Sequence, residues 1–407
     1  MNGNNGNLLE RAEVDELLKA VYDELKIRPK NVNIETGSNP GDGYMSFLTR
    51  VDITTDDDKE VHVVMKGAPR IEEFRKLTPV HDAFLRETLF YEEVVPTFRK
   101  FQTETCPVRE PFDATAKFYH ACKDNMKEVL VMENIKTKGF KLWDRMKYMD
   151  NQHIELVLKT YGKYHAVSYA MQQQDPEGYA RLKEKMILDV FRLDNVDPAM
   201  FEIFDAALQR VKPLFADDAK ASKKLNDYRP IEIWEAMIQD LGDYPVICHG
   251  DCWVNNMMFK YDDVNDPTKP TKICLLDFQI MRLGSPVSDL SYFFYVSAPK
   301  QYLDQLDKYL RVYHDSLTSS LLEMKCKVTM SFEDLKKEWK RGAVAGYNMS
   351  LVVSKIMASE GDEIIDFVNM TVETDFTKEF GKESKHDAFI NNKLKLLTQH
   401  MFDNGFM

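Results

Sequence analysis

The sequence predicts an α+β chain in two lobes, a small strand-rich one followed by a larger helical one. Three observations predict it. The first third alternates short apolar, strand-like runs with glycine and acidic turns. The remainder is dominated by helical periodicity. A single strand–loop–strand, "PVICHGDCWVNNMMF" at 245–259, interrupts those helices. The division falls near 135–140, where "NIKTKGF" leaves a strand, giving lobes of 1–135 and 136–407.

In chain order, residues 9–27 read as a helix, with Leu8, Leu9, Val14, Leu17, Leu18, Val21 and Leu25 as its apolar positions. Between 31 and 66 a loop with Gly37, Gly41 and Gly43 precedes two strands joined at Asp56-Asp57-Asp58, a hairpin pattern. Residues 80–100 read as a helix ending at Pro96, and "EVLVMENI" (128–135) as a strand. Helices follow over 151–173, 176–191, 198–213 and 228–241. After the interruption they resume near 287–297, 299–324, 331–357 and 372–402. No repeat or low-complexity tract appears.

Composition narrows the function. With 407 residues, 44% of them hydrophobic, the chain can bury a sizeable core. Its 66 acidic against 54 basic residues give a net charge of −12, the wrong sign for a nucleic-acid binder. Six scattered cysteines without a CxxC motif read as thiols in a reducing compartment. The polar N-terminus has no signal-peptide core, and no apolar run approaches the roughly 20 residues that span a bilayer. The expectation is a soluble, cytoplasmic protein with no membrane association and no obligate protein partner.

The interrupting loop carries chemistry. His249, Gly250 and Asp251 follow one apolar strand, and Asn256 opens the next. "NMMFKY" (256–261), a polar turn and "KICLLDF" (272–278) form a hairpin; with Tyr261 opposite Lys272, Asn256 falls opposite Asp277. An amide oxygen beside a carboxylate, with a second carboxylate close by, suits a hard cation such as Mg²⁺ that shares nucleotide phosphates. This is the catalytic-loop and metal-loop pattern of phosphoryl transfer. The bland alternative makes Asp251 and Asn256 turn residues and Asp277 a cap.

Such a site needs a cation on the phosphates. Lys66 closes the apolar strand "VHVVMK". On the helix 80–95, Val80, Phe84, Glu87, Tyr91 and Val94 share one face, so Glu87 lies on an apolar stripe and needs a partner. Lys66 is the expected one; a Glu87 that snorkels to solvent or caps locally is the alternative. The glycine loop is irregular, but "GDGYMS" offers Gly43 and Ser46 as phosphate contacts, against an ordinary hairpin turn. "VMENI" (131–135) is positioned to hold adenine through the backbone of Glu133 and Ile135.

HGD-x4-N followed by DFQ resembles the aminoglycoside phosphotransferase and choline kinase group. "HGDCWVNNMMF", "LLDFQIMRLGSPVSDLSYFF", "GDGYMSFLTRV" and "RETLFYEEVVP" resemble more closely the ecdysteroid-kinase-like (CHK kinase-like) family, over roughly 30–400. The resemblance implies a bilobal protein-kinase-like fold that uses ATP and Mg²⁺. It implies that Asp251 orients or deprotonates the acceptor hydroxyl and that Asn256 and Asp277 hold Mg²⁺. It further implies that Lys66, paired with Glu87, contacts the α- and β-phosphates, and that Asp289 braces the catalytic loop; a plain helix cap is the alternative for Asp289.

Departures from a protein kinase favour a small-molecule acceptor. Trp253 stands where such a kinase has lysine, DFQ replaces DFG, and the segment from Asp277 to Asp289 is too short for a peptide-docking loop. Trp143, Trp234, Trp253, Tyr292, Phe293 and Phe294 fit an apolar acceptor such as an ecdysteroid or a xenobiotic alcohol handled in detoxification, although such aromatics also build cores. The competing expectations are a choline- or aminoglycoside-type kinase, a catalytically silent nucleotide- or hormone-binding protein, and a metal-dependent hydrolase.

Overall fold

The computed structural model describes residues 9–36, 45–186, 190–263 and 265–407. The chain begins with helix α1 (Arg11–Leu25) and strands β1 (Pro29–Thr36), β2 (Phe47–Thr55) and β3 (Glu60–Gly67). Helices α2 (Glu72–Leu77), α3 (Val80–Leu89) and α4 (Val95–Lys100) lead to β4 (Phe118–Cys122) and β5 (Val129–Glu133). The five strands form one antiparallel sheet in the order β1-β2-β3-β5-β4.

Strand alternation decides what each face of that sheet does. Val51, Ile53, Val63, Met65, Val129 and Val131 turn one way and bury against Val14, Leu17, Leu18 and Val21 of α1. Leu48, Arg50, Val64, Lys66 and Met132 turn the other way and roof a cavity. Lys66 therefore reaches the cavity because Met65 is needed by the core.

The helix expected to stop at Pro96 runs on to Thr105. Val95 donates to Phe90 O, five residues back, and a second turn of this π type covers Phe101–Thr105. A wide turn accommodates a proline ring that would clash in a regular helix, and Pro96 sits in the first turn of α4. β1 and β4 lacked a clear sequence signal.

The rest is helical apart from β6 (Lys141–Leu142), β7 (Val246–Cys248), β8 (Met257–Tyr261), β9 (Pro270–Leu275) and β10 (Arg282–Gly284). The helices are α5 (Asn151–Gln174), α6 (Pro176–Glu184), α7 (Pro198–Val211), α8 (Ala219–Asp227), α9 (Pro230–Gln239), α10 (Pro286–Ser297), α11 (Lys300–Leu303), α12 (Leu306–Glu323), α13 (Phe332–Met357), α14 (Phe376–Gly381) and α15 (Asp387–Asp403). The single helix expected over 372–402 is two, α14 and α15. Among the described residues no helix is long and apolar enough to cross a membrane.

The hairpin register differs by one residue from the sequence expectation. Lys260, not Tyr261, faces Lys272, and Met257 faces Leu275. The ladder shifts at Lys260/Tyr261, where Tyr261 pairs with Pro270, a residue with no N–H to give. Asn256 thus lies opposite Leu276, whose N–H donates to Asn256 O at 2.9 Å. Asp277 falls beyond the ladder in the left-handed region, at φ 64°.

α10 and α13 approach closely at Gly346, where a methyl group would overlap the backbone of Ser291 and Tyr292. Gly346→Ala is expected to cost about 1–3 kcal/mol through overpacking, seen as a lower melting temperature. An unchanged melting temperature would mean that the two helices part freely.

Candidate active site

Lys66 Nζ lies 2.6 Å from Glu87 Oε2 on α3 and 2.9 Å from Asp277 Oδ1. The lysine and Glu87 side chains are both buried. Burial alone would strip the proton from this amine, but the charges of Asp277 and Glu87 outweigh it and raise the Lys66 pKa. Glu87 is shifted upward by its own burial, against the pull of Lys66.

The catalytic-loop candidate leaves β7 and turns at Gly250, whose φ of 90° and proximity to Ile280 O exclude a side chain. Asp289, fully buried on α10, accepts from His249 N at 2.7 Å and Gly250 N at 2.9 Å. Ser285, not Asp289, caps α10. His165 of α5 completes the collar, with Nε2 3.2 Å from Asp289 Oδ2 and Nδ1 3.0 Å from the Tyr313 hydroxyl. Despite burial, these donors hold the Asp289 carboxyl below its ordinary pKa. Sequence reasoning missed His165, which has no local signal.

His249 is scaffold. Its Nδ1 accepts from Asp251 N at 3.2 Å, which leaves Nε2 to donate to Leu276 O at 2.9 Å. Burial lowers its pKa, in keeping with a neutral ring. The ring packs 4.2 Å from that of Phe278, which stacks on Phe90 at 3.4 Å. One imidazole thus joins Asp251 to the strand that delivers Asp277, and Phe278 joins both to the helix segment following Glu87.

The Asp251 carboxylate collects three donors. Tyr292 OH reaches Oδ1 at 2.8 Å; Asn256 Nδ2 and Trp253 Nε1 reach Oδ2 at 2.7 and 3.2 Å. Burial, and next the charge of Asp277, nevertheless push its pKa up to about 7.

Glu87 and Asp277 bring two carboxyl groups to one ammonium, and Asp251, which feels the charge of Asp277, adds a third nearby, two negative charges in excess when all are ionised. Among the described residues no three metal-ligating side chains converge as a protein-only cage. That donor set fits Mg²⁺, which takes one or two protein oxygens and completes its shell with phosphate and water. Asp277 supplies a carboxylate. Asn256, whose Nδ2 is committed to Asp251, has its amide oxygen to offer.

One cavity of about 350 Å³ holds this cluster. Lys66, Glu87, Asp251, Asn256, Asp277, Ser46, Glu133 and Ile135 all line it. Gly43 and the rest of the glycine loop lie outside the described residues. Beyond Asp251 the cavity continues between α7, α9 and α13, walled by Met200, Ile203, Phe204, Trp234, Val352 and Ile356. Trp234, Trp253 and Tyr292 line it as expected for an acceptor pocket. Trp143, ahead of α5, packs on His153 instead, and the expectation fails for Phe293 and Phe294 because α10 buries them in the core, Phe294 against Tyr309 and Trp339.

An acid with a raised folded pKa binds more protons folded than unfolded. Ionising Asp251 therefore costs stability as pH rises from about 4 through about 7. Asp251→Asn removes that cost and keeps the contacts, its oxygen facing Asn256 and Trp253 and its N–H₂ facing the Tyr292 oxygen. In metal-free protein the variant is expected to melt higher than wild type at pH 8 and alike near pH 4. A lower melting temperature at pH 8 contradicts the buried-charge account.

Among solved structures, a glucosamine kinase in complex with glucosamine, ADP and inorganic phosphate matches at 9% identity, covering 99% of this chain and 100% of that one, with a TM-score of 0.37. Comparison with curated proteins gives no match. The model of the ecdysteroid kinase-like family matches residues 40–326. The chain belongs to the ecdysteroid kinase-like family.

Proposed function

We propose that the protein is an ATP- and Mg²⁺-dependent kinase that transfers the γ-phosphoryl group to a hydroxyl of an apolar small molecule, an ecdysteroid or a similar alcohol. The observation that carries this reading is the single cavity in which Lys66, Asp277 and Asp251 meet a chamber walled by aliphatic and aromatic side chains. On this reading residues 1–135 bind the nucleotide and 136–407 supply catalysis and the acceptor pocket, in a cytoplasmic protein needing no protein partner.

In that role the backbone near Glu133 and Ile135 takes adenine, and Ser46 and Lys66 face the phosphates. Glu87 fixes the lysine's position, with a 2.6 Å contact that costs no rearrangement when nucleotide arrives. Asn256 and Asp277 would hold Mg²⁺, which when bound offsets the charge of the phosphates. Asp251 accepts the hydrogen bond of the acceptor hydroxyl and orients it in line with phosphorus. It need not be a strong base, because the transition state is loose and positioning supplies most of the acceleration. The apolar chamber favours a hydrocarbon body over a polycation, whose charges would be left unpaired against carbon.

Asp251→Asn is expected to lower kcat by about 10²- to 10⁴-fold with ATP affinity retained. Asp277→Ala should weaken Mg-ATP binding instead. Release of ADP with ecdysteroids, choline, plant glycosides and phenols as acceptors reads both. Normal turnover in the first variant removes Asp251 from the mechanism, and no acceptor-dependent ADP with any alcohol supports the catalytically silent alternative.

Ile203, half-buried on α7, tests the acceptor chamber. Ile203→Asp should raise the KM of an apolar acceptor by about tenfold or more, the scale of an unpaired charge set against hydrocarbon, and leave the KM of ATP alone. A lower KM for a cationic acceptor with no loss of the apolar one would point to an amine-bearing substrate.

A further inference from the structure

Resting on the phosphotransferase reading, we propose that Gln279 is a substrate-contacting residue whose side-chain amide donates to an oxygen of the transferring γ-phosphoryl group. Gln279 is only 5% exposed, yet its Nε2 has no hydrogen-bond partner among the described residues. It lines the same cavity as Asp251, Asp277 and Tyr292. An unpaired buried amide is a standing cost to the ligand-free fold, and native structures retain such groups where a ligand completes them.

Its position is fixed by the fold. Gln279 follows Phe278, whose ring is held between Phe90 and His249, and the turn is closed by Met281 N donating to Phe278 O at 3.1 Å. The nearby acceptors are committed elsewhere. Asp277 faces Lys66, and Asp251 already takes Tyr292, Asn256 and Trp253. The amide is therefore left to face the ligand.

The ligand atom follows from what each party can offer. An N–H donor needs an oxygen with a free lone pair. The acceptor chamber past Asp251 is walled by carbon, so the acceptor's body has no call on this amide. At the point of transfer the acceptor oxygen gives its proton toward Asp251 and its lone pair to phosphorus, while the bond from phosphorus to the bridging oxygen breaks and ADP leaves with that electron pair. The oxygens that remain are those of the phosphoryl group, and an anion selects the amide rotamer that presents nitrogen over the one that presents oxygen. Trp253, which stands on the loop beside the site, brings no positive charge, so a neutral donor from the metal-side turn complements Lys66 on the other side.

The test compares wild type with Gln279→Leu and Gln279→Glu by calorimetric titration of Mg-ATP and Mg-ADP, by steady-state kinetics and by ligand-free melting temperature. The leucine variant is expected to lose about tenfold or more in its preference for Mg-ATP over Mg-ADP, with kcat lowered and acceptor KM unchanged. The glutamate variant, which sets charge against charge, should lose more. The ligand-free leucine variant should melt no lower than wild type, because no protein bond is removed. An unaltered ATP-to-ADP preference overturns the proposal, as does a loss confined to acceptor KM or an equal loss for ADP. Nucleotide titration needs no acceptor, so it tests Gln279 even if no alcohol is phosphorylated. Failure of wild type to transfer to any alcohol counts against the function instead.

Discussion

One buried ammonium shared by two carboxylates, Glu87 buried and Asp277 partly exposed, organises the molecule. Lys66 comes from the sheet, Glu87 from α3 and Asp277 from the turn after β9, and both carboxylates must arrive within 3 Å of the ammonium. Removing one member of such a cluster leaves an uncompensated buried charge, which is strongly destabilising. The surrounding structure therefore fixes its three sources. Met65 and its neighbours anchor β3 on α1, Phe90 anchors the α3 segment on Phe278, and the left-handed turn at Asp277 aims its carboxylate back at the sheet.

Asp251 is held by a separate device. Its loop hangs from a buried aspartate, Asp289, which takes two backbone N–H groups directly and is steadied from α5 by His165. His249 ties that loop to Leu276, one residue before Asp277. Loop and cluster thus form one rigid unit with surplus negative charge. Burial first, and the charge of Asp277 after it, push the pKa of Asp251 and Glu87 up, and on the proposed reading a divalent cation arriving with phosphates would offset the charge. Evolved binding sites commonly store cost in the ligand-free state in this way.

Much of this was legible in the sequence where the signal was local. A lysine closing an apolar strand pointed to Lys66, helical periodicity to Glu87, the loop's own residues to Asp251 and Asn256, and the hairpin's return strand to Asp277. The register of the hairpin was misread by one residue because the shift occurs at Pro270, where a missing donor reshapes the ladder without any apolar–polar pattern to mark it. Pro96 was misread for a related reason, since a π-type turn leaves no sequence mark. The acceptor chamber was legible only as a supply of aromatics. Its walls come from α7, α9 and α13, which are far apart in the chain, so which apolar faces look inward is set by packing. His165 was illegible because its partners, Asp289 and Tyr313, are more than a hundred residues away.

On the proposed reading the excess of carboxylates around Lys66 is matched to a metal-bound nucleotide. Calorimetric titration of ATP into the protein with Mg²⁺ and with chelator tests it most directly. The account predicts strong binding only with Mg²⁺, and weak or no binding without it, because bare phosphates meet Asp251 and Asp277 unshielded. Equal affinity for ATP in the presence and absence of divalent cation would contradict it.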